Sequence, residues 1–91
     1  MENKRVCLII HGKVHGVFFR ASTKETANQL GLKGFVRNRL DGAVEIIAEG
    51  YEKDLIKLIN WCQTGPDMAK VDSVEQDWQP YVSEFKDFTI N

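Results

Sequence analysis

Two short stretches of the sequence contain residue types that could hold a small anion. The first, HGKVHGVFFR, covers residues 11–20, with glycines at positions 12 and 16 and Arg20 at its end. Glycine permits backbone conformations in which successive N–H groups point inward and form a nest for an anion, and the free N–H groups of a helix start reinforce such a nest. The planar guanidinium of Arg20 matches a phosphate or a carboxylate. We therefore expect a cradle for one anionic group; the alternative is an ordinary strand-to-helix turn with a solvated arginine.

The second stretch is GFVRNRLDG, residues 34–42, in which Asn38 is the unusual residue. Along a strand Asn38 shares a face with Val36 and Leu40, and asparagine is uncommon in strands. Its carboxamide can donate to and accept from a water molecule, so it could hold that water in line with a phosphorus atom. The alternative is a cross-strand hydrogen bond or a position at the end of a hairpin.

Hydrophobic periodicity and turn residues predict the elements that position these stretches. In chain order they are a strand buried on both faces (residues 6–10), a helix (19–30), two strands (33–40 and 43–50), a helix (52–64), a strand (71–79) and a short edge strand (85–90). Asp41-Gly42 predicts a two-residue hairpin turn with positive φ at both positions. Gly31 and Gly65-Pro66 predict the two helix ends.

This order of elements predicts a single α+β domain over residues 1–91. Its arrangement is the ferredoxin-like split βαβ (βαββαβ), an antiparallel sheet with two helices packed on one face. Because many unrelated functions use this scaffold, the function has to be argued from the candidate site.

The composition and the charge exclude several classes of function. The chain of 91 residues has 12 Lys and Arg against 13 Asp and Glu, a net charge of -1. Such a balance gives no broad positive field for a nucleic acid or an anionic membrane. No signal peptide or membrane-spanning stretch is recognisable, so we expect a cytoplasmic protein. We also expect a monomer.

The cysteines and histidines form no recognisable metal or redox motif. Cys7 and Cys62 lack CxxC spacing, so two buried thiols are expected, with a disulfide between them as the alternative. His11 and His15 are four apart, but a strand end and a glycine loop do not place that spacing on one face, so no zinc site is expected. The first stretch matches neither a Walker loop nor a dinucleotide fingerprint, which disfavours ATP and NAD. We therefore predict no metal and no cofactor.

The two stretches resemble the sequence patterns of the acylphosphatase family. The first pattern is Gly-x-Val-Gln-Gly-Val-x-Phe-Arg, matched here by Gly12, Val14, Gly16, Val17, Phe19 and Arg20, with His15 in place of the usual Gln. The second pattern is matched by Gly34, Phe35, Val36, Arg37, Asn38, Gly42, Val44 and Gly50. The resemblance covers nearly the whole chain, including Gly65-Pro66 before the fourth strand.

The resemblance implies an enzyme that hydrolyses the carboxyl-phosphate bond of small acyl phosphates without a metal, releasing a carboxylate and inorganic phosphate. It implies that Arg20 binds the phosphate and that Asn38 orients the attacking water. The implied cradle consists of the backbone amides of His15, Gly16, Val17, Phe18, Phe19 and Arg20. Since neither pattern contains an obvious general base, a substrate phosphate oxygen is the expected acceptor of the water's proton.

Two alternative functions are compatible with the same scaffold. One is an RNA-binding module, which shares the βαββαβ order, although Val36, Arg37 and Leu40 stand where stacking aromatic residues would be wanted. The other is a catalytically silent anion-binding domain. The presence of both Arg20 and Asn38 argues against the silent domain.

Overall fold

The computed structural model describes residues 2–91 and contains one five-stranded sheet with two helices. The elements are β1 (Asn3–Lys13), α1 (Phe19–Gln29), β2 (Lys33–Asn38), β3 (Val44–Tyr51), α2 (Glu52–Cys62), β4 (Lys70–Gln79) and β5 (Phe88–Ile90). The strand order is β4-β1-β3-β2-β5. The predicted α+β fold with two helices on one face is confirmed. The sheet is antiparallel except at its edge, where β5 pairs parallel with β2.

The core lies between the sheet and the two helices. In β1, Val6, Leu8 and Ile10 are fully buried, whereas the alternating residues Cys7 and Ile9 are only half-buried. The prediction that this strand is buried on both faces was therefore wrong, because the helices cover only one face of the sheet. The helices contribute the buried residues Phe19, Thr23, Ala27, Leu55, Leu58, Ile59 and Cys62.

The hairpin between β2 and β3 is confirmed, but its turn differs from the predicted one. Gly42 has a φ of 93°, whereas Asp41 does not have a positive φ. The Gly42 N–H donates to the Arg39 carbonyl at 3.2 Å, and the Arg39 N–H donates to the Ala43 carbonyl at 2.8 Å. These bonds define a three-residue loop ending in a left-handed glycine, a common alternative to the two-residue turn.

Gly12 belongs to the sheet and does not line the anion cradle. It lies in β1 at an irregularity of the β1–β4 register, with a φ of 129°. A Cβ atom at this position would come within 2.1 Å of the Lys70 carbonyl oxygen. The glycine is therefore required by the close approach of β4. The expectation that both glycines of the first stretch shape the cradle was wrong for Gly12.

Both cysteines are free thiols. Cys7 lies half-buried on the open face of the sheet, and Cys62 is fully buried in the core. Burial raises the pKa of the Cys62 thiol to about 12, so Cys62 stays protonated and unreactive at neutral pH. Neither helix of the described chain has the length and hydrophobicity needed to cross a bilayer.

Candidate active site

A cleft of about 350 Å³ opens between the start of α1 and the end of β2. Its lining residues are Val14, Gly16, Phe18, Phe19, Arg20, Ala21, Asn38 and Ile90. The fold thus brings Arg20 and Asn38, which are 18 positions apart in the sequence, to one cavity. Two other predicted cradle residues direct their side chains elsewhere: Val17 is buried in the core, and the His15 ring contacts the β2–β3 loop.

The backbone of the cradle has two residues in the left-handed region. Gly16 has a φ of 72° and Phe18 a φ of 64°, whereas Val17 between them does not have a positive φ. Alternation of this kind is typical of backbone nests, in which successive amides point towards one side. For the bulky Phe18 the conformation costs roughly 1–3 kcal/mol, and such strain is concentrated at functional sites. The Phe18 side chain is 75% exposed, so it recovers little of that cost through burial.

The start of α1 adds further N–H donors to the cradle. The first hydrogen bond into the helix runs from the Ser22 N–H to the Phe18 carbonyl at 3.0 Å. The N–H groups of Phe19, Arg20 and Ala21 precede it and have no intrahelical acceptor. Phe18, at the N-cap, supplies no side-chain hydrogen bond, and the first turn contains no acidic residue. The positive end of the helix dipole is therefore left available to an anion.

Arg20 differs from the other three arginines of the chain in its partners. Arg5 pairs with Glu84 and Glu49, Arg37 with Glu45, and Arg39 with Asp41. No carboxylate of residues 2–91 forms an ion pair with Arg20. Among the described residues that line the cleft, only Arg20 carries a charge. The cleft therefore offers an uncompensated cation at the end of a helix dipole of the same sign.

Asn38 presents a buried oxygen with no donor. It lies at the end of β2, paired with Val44 of β3, and its side chain lines the cleft. Its Oδ1 atom is buried, and no donor in residues 2–91 forms a hydrogen bond with it. Buried polar atoms nearly always have a partner, and leaving one unsatisfied costs roughly 1–3 kcal/mol. The predicted cross-strand hydrogen bond, the alternative explanation for Asn38, therefore does not engage this oxygen.

His15 joins the cradle loop to the hairpin that carries Asn38. Its Nε2 lies 2.8 Å from the Ala43 carbonyl oxygen. A carbonyl oxygen only accepts, so Nε2 carries the proton and donates it. The terminal amide of the glutamine in the family pattern could donate the same kind of bond. His15 therefore links the two halves of the cleft.

Sequence reasoning missed three residues that line the cleft, Val14, Ala21 and Ile90. Val14 belongs to the first pattern, but it was not predicted as a site residue. Ala21 follows the first pattern directly, but a small exposed alanine gives no signal of function. Ile90 reaches the cleft only because β5 pairs with β2, where Ile90 lies opposite Val36. That pairing joins segments more than fifty residues apart, and no local pattern near Ile90 specifies it.

The remaining candidates lie away from the cleft. His11 contacts Glu75 of β4, and Arg37 contacts Glu45 on the open face of the sheet. Within the described residues, no three side chains of His, Cys, Asp or Glu are grouped closely enough to hold a metal ion. Trp61 packs against Phe19 with the ring centroids 5.4 Å apart, beneath the start of α1.

Comparisons with known proteins agree with this fold. The Acylphosphatase family model matches residues 6–90. An acylphosphatase of Pyrobaculum islandicum is 52% identical over 91 residues, covering 99% of this chain and 96% of that protein. An acylphosphatase of Marinobacter nauticus is 51% identical, covering 97% of this chain and 96% of that protein. The crystal structure of acylphosphatase from Bacillus subtilis superimposes with a TM-score of 0.93 at 32% identity, covering 97% of this chain and 98% of that chain. This chain therefore belongs to the acylphosphatase family.

Proposed function

We propose that Arg20, the backbone amides of residues 15–20 and Asn38 carry out the acyl phosphate hydrolysis that family membership assigns to this enzyme. In the proposed reaction a water oxygen attacks phosphorus, and the bond between phosphorus and the acyl oxygen breaks. The electron pair of that bond leaves with the carboxylate, and the phosphoryl group becomes inorganic phosphate. The observation that carries the proposal is that one cleft is lined by Arg20, which forms no ion pair with residues 2–91, and by Asn38, whose buried oxygen has no donor among those residues.

In this proposal the cradle and Arg20 bind the phosphoryl group and stabilise its transition state. Phosphoryl transfer passes through a loose transition state with negative charge on the three equatorial oxygens. Fixed amide donors and one guanidinium match that charge without reorganising during the reaction. The Arg20 guanidinium is not held by any carboxylate of residues 2–91, so no ion pair within that part of the chain has to break when the substrate binds.

Asn38 is proposed to position the attacking water. Its unpartnered Oδ1 can accept a hydrogen bond from that water, which would satisfy the buried oxygen. Holding the nucleophile in one geometry converts a bimolecular step into an effectively unimolecular one. The amide cannot act as a strong base, so its proposed contribution is geometric.

The proposed proton acceptor is the substrate itself. Among described residues, the cleft lining contains no Asp, Glu or His side chain that could take the proton of the water. A non-bridging phosphate oxygen of the substrate lies next to the attacking water and can accept that proton. The carboxylate is a good leaving group, so its departure needs no protein acid.

Hydrolysis of acetyl phosphate in ¹⁸O-labelled water, with a metal chelator present, tests this proposal. We expect rapid turnover with the label in inorganic phosphate, and loss of turnover in folded Arg20→Ala and Asn38→Ala variants. Label in acetate would mean attack at the carbonyl carbon and would overturn the role of Asn38. A folded native chain without turnover would refute the proposed activity, and activity abolished by the chelator would refute metal independence.

Three further features stay predictions alongside this function. We expect residues 1–91 to act as a single domain and the chain to be monomeric and cytoplasmic. Two free thiols agree with a reducing compartment. Sedimentation of the purified protein tests the monomeric state directly.

A further inference from the structure

A groove adjoins the cleft along the outer side of α1. It has a volume of about 520 Å³ and shares two lining residues, Ala21 and Ile90, with the cleft. The other lining residues are Lys24, Glu25, Asn28 and Gln29. Residues 21, 24, 25, 28 and 29 form one stripe of α1, because positions three and four apart lie on the same side of a helix. A molecule bound in the cradle therefore needs to extend only past Ala21 and Ile90 to contact this stripe.

Ile90 forms the wall of the groove opposite α1. It pairs with Val36, which is buried against the helices, and paired residues on neighbouring strands point to the same face of a sheet. Phe88, two positions earlier on the same face, is buried, whereas Ile90 remains 41% exposed. The β5 edge thus presents an apolar side chain at the point where the cleft meets the groove. Phe18 adds a second exposed apolar side chain to the cleft lining.

The groove surface is apolar and carries no net charge. Its wall consists mainly of carbon atoms, since long polar side chains cover neighbouring surface with their aliphatic stems. Lys24 and Glu25 contribute one charge of each sign. A second anionic group on the substrate would gain little here, whereas an alkyl chain would be removed from water.

We infer that Ile90, Ala21 and the outer stripe of α1 form a subsite for the acyl group, and that this enzyme selects acyl phosphates with extended apolar acyl chains. The inference rests on the proposed function, because the cradle must hold the phosphoryl group for the acyl chain to reach the groove. Full burial of a methylene changes affinity about fourfold, the equivalent of about 0.8 kcal/mol. The groove is open on one side, so we expect about half of that free energy, or roughly a twofold gain per methylene.

The test compares kcat/KM for acetyl, butanoyl and hexanoyl phosphate, each divided by its uncatalysed hydrolysis rate. We expect the hexanoyl-to-acetyl ratio to be roughly 15 in the native chain and to fall to about five or less in Ile90→Ser, because the serine removes the apolar wall. Ile56→Ser is the matched control: Ile56 is 43% exposed, close to the 41% of Ile90, but lies on α2. We expect this control to keep the native ratio.

A native ratio near one with rapid turnover of all three substrates would overturn the subsite and leave the proposed function intact. A ratio unchanged by Ile90→Ser would also overturn it. If Ile90→Ser does not fold, Ala21→Gln replaces it, because glutamine is a good helix former that would fill the groove and lower the ratio. Absence of turnover with every substrate would refute the proposed function together with the subsite.

Discussion

Asn38 and Glu49 both place side-chain oxygens in the interior, at opposite ends of the β2–β3 ladder, yet only Glu49 has its oxygens bonded. Glu49 is 2% exposed and accepts hydrogen bonds from the N–H groups of Val82 and Glu84, at 2.9 and 3.0 Å. The Arg5 guanidinium lies 3.6 Å from one of its oxygens. The Asn38 Oδ1 atom has no donor in the described chain. Within residues 2–91, the buried Glu49 carboxylate therefore has hydrogen-bond donors, whereas the buried oxygen of Asn38, a residue that lines the cleft, has none.

The two ends also differ in how they use arginine. Arg5 is held by Glu84, Glu49 and Gln79, and it lies over the Phe85 ring at 5.2 Å from the centroid. Arg20 has no comparable carboxylate partner among residues 2–91. This contrast is expected when one region is built for stability and the other keeps groups free for a ligand at some cost in stability. Substitutions at the two ends should therefore separate activity from stability.

The largest expected effect is on activity at the cleft. We expect Arg20→Ala to lower kcat/KM by about 10³–10⁵, the range that removal of a transition-state arginine gives in phosphoryl transfer. Stability should change little, because Arg20 is exposed and forms no ion pair with residues 2–91. The control is Arg39→Ala, which removes an arginine paired with Asp41. Equal losses of activity in the two variants would show that general positive charge, and not the cleft arginine, carries the effect.

The next effect is on stability at the opposite end. Glu49→Ala should lower the free energy of unfolding by about 3–5 kcal/mol, because it removes one partner of a buried ion pair and frees two backbone donors. At temperatures where the variant remains folded, kcat/KM should stay within about threefold of the native value. Glu75→Ala provides the control: Glu75 pairs with His11 on the surface, and its removal should cost at most about 1 kcal/mol. A small decrease in the free energy of unfolding for Glu49→Ala would contradict the claim that this region is built for stability.

Asn38→Ala should lower activity without lowering stability, the reverse of what we expect for Glu49→Ala. We expect kcat/KM to fall by about 10²–10³, as for removal of one preorganised polar group in an active site. The free energy of unfolding should stay within about 0.5 kcal/mol of the native value or rise, because the substitution removes an acceptor that was buried without a partner. Urea denaturation and phosphate release measure the two quantities on the same samples. A clear loss of stability without loss of rate would make Asn38 a structural residue.

A smaller effect concerns the two strained residues, one at each end. Phe18 and Ser83, with φ of 64° and 54°, are the non-glycine residues with positive φ in the described chain. Relief of left-handed strain, less the entropy cost of glycine, should make Phe18→Gly and Ser83→Gly each more stable by about 0.5–1 kcal/mol. Only Phe18→Gly should lower kcat/KM, by roughly three- to tenfold, because it loosens the cradle. A lowered kcat/KM in both variants would show that the loss of activity does not come from the geometry of the cradle.

The sequence predicts the fold well because its signals are local. The apolar run of β1, the extended runs on either side of Asp41-Gly42, the glycine after α1 and Gly65-Pro66 after α2 each act within a few residues. The sequence did not predict which way β5 pairs, because a three-residue strand is placed by its neighbours and not by its own pattern. The one-sided burial of β1 was also missed, since Cys7 and Ile9 are apolar whether or not a second layer covers them.

The candidate site was accessible from the sequence only in part. Arg20 and the glycine at position 16 indicate an anion cradle through local chemistry, and an asparagine in a strand indicates an amide that could hold a water molecule. The family resemblance implied that the two belong to one site. The unpartnered state of the Asn38 oxygen depends on what the surrounding strands and α1 leave unfilled, which no local pattern encodes. The bond from His15 to the Ala43 carbonyl joins residues 28 apart in sequence and likewise follows from the tertiary fold.

The smallest expected effect concerns Asp41, in the loop that presents Ala43 to His15. The Ala43 N–H donates to the Asp41 carboxylate, and with Arg39 it holds the pKa of Asp41 below its ordinary value. A lowered folded-state pKa adds stability above the unfolded pKa of about 3.9, and the addition disappears as the pH falls through the folded pKa. The difference in unfolding free energy between the native chain and Asp41→Ala should therefore be constant above about pH 5 and shrink below it. Asp41→Asn keeps an acceptor for Ala43 without the charge, so it should recover the hydrogen bond but not the pH dependence. A difference that stays constant down to pH 2 would show that the carboxylate charge contributes nothing to the stability of the loop that positions the Ala43 carbonyl for His15.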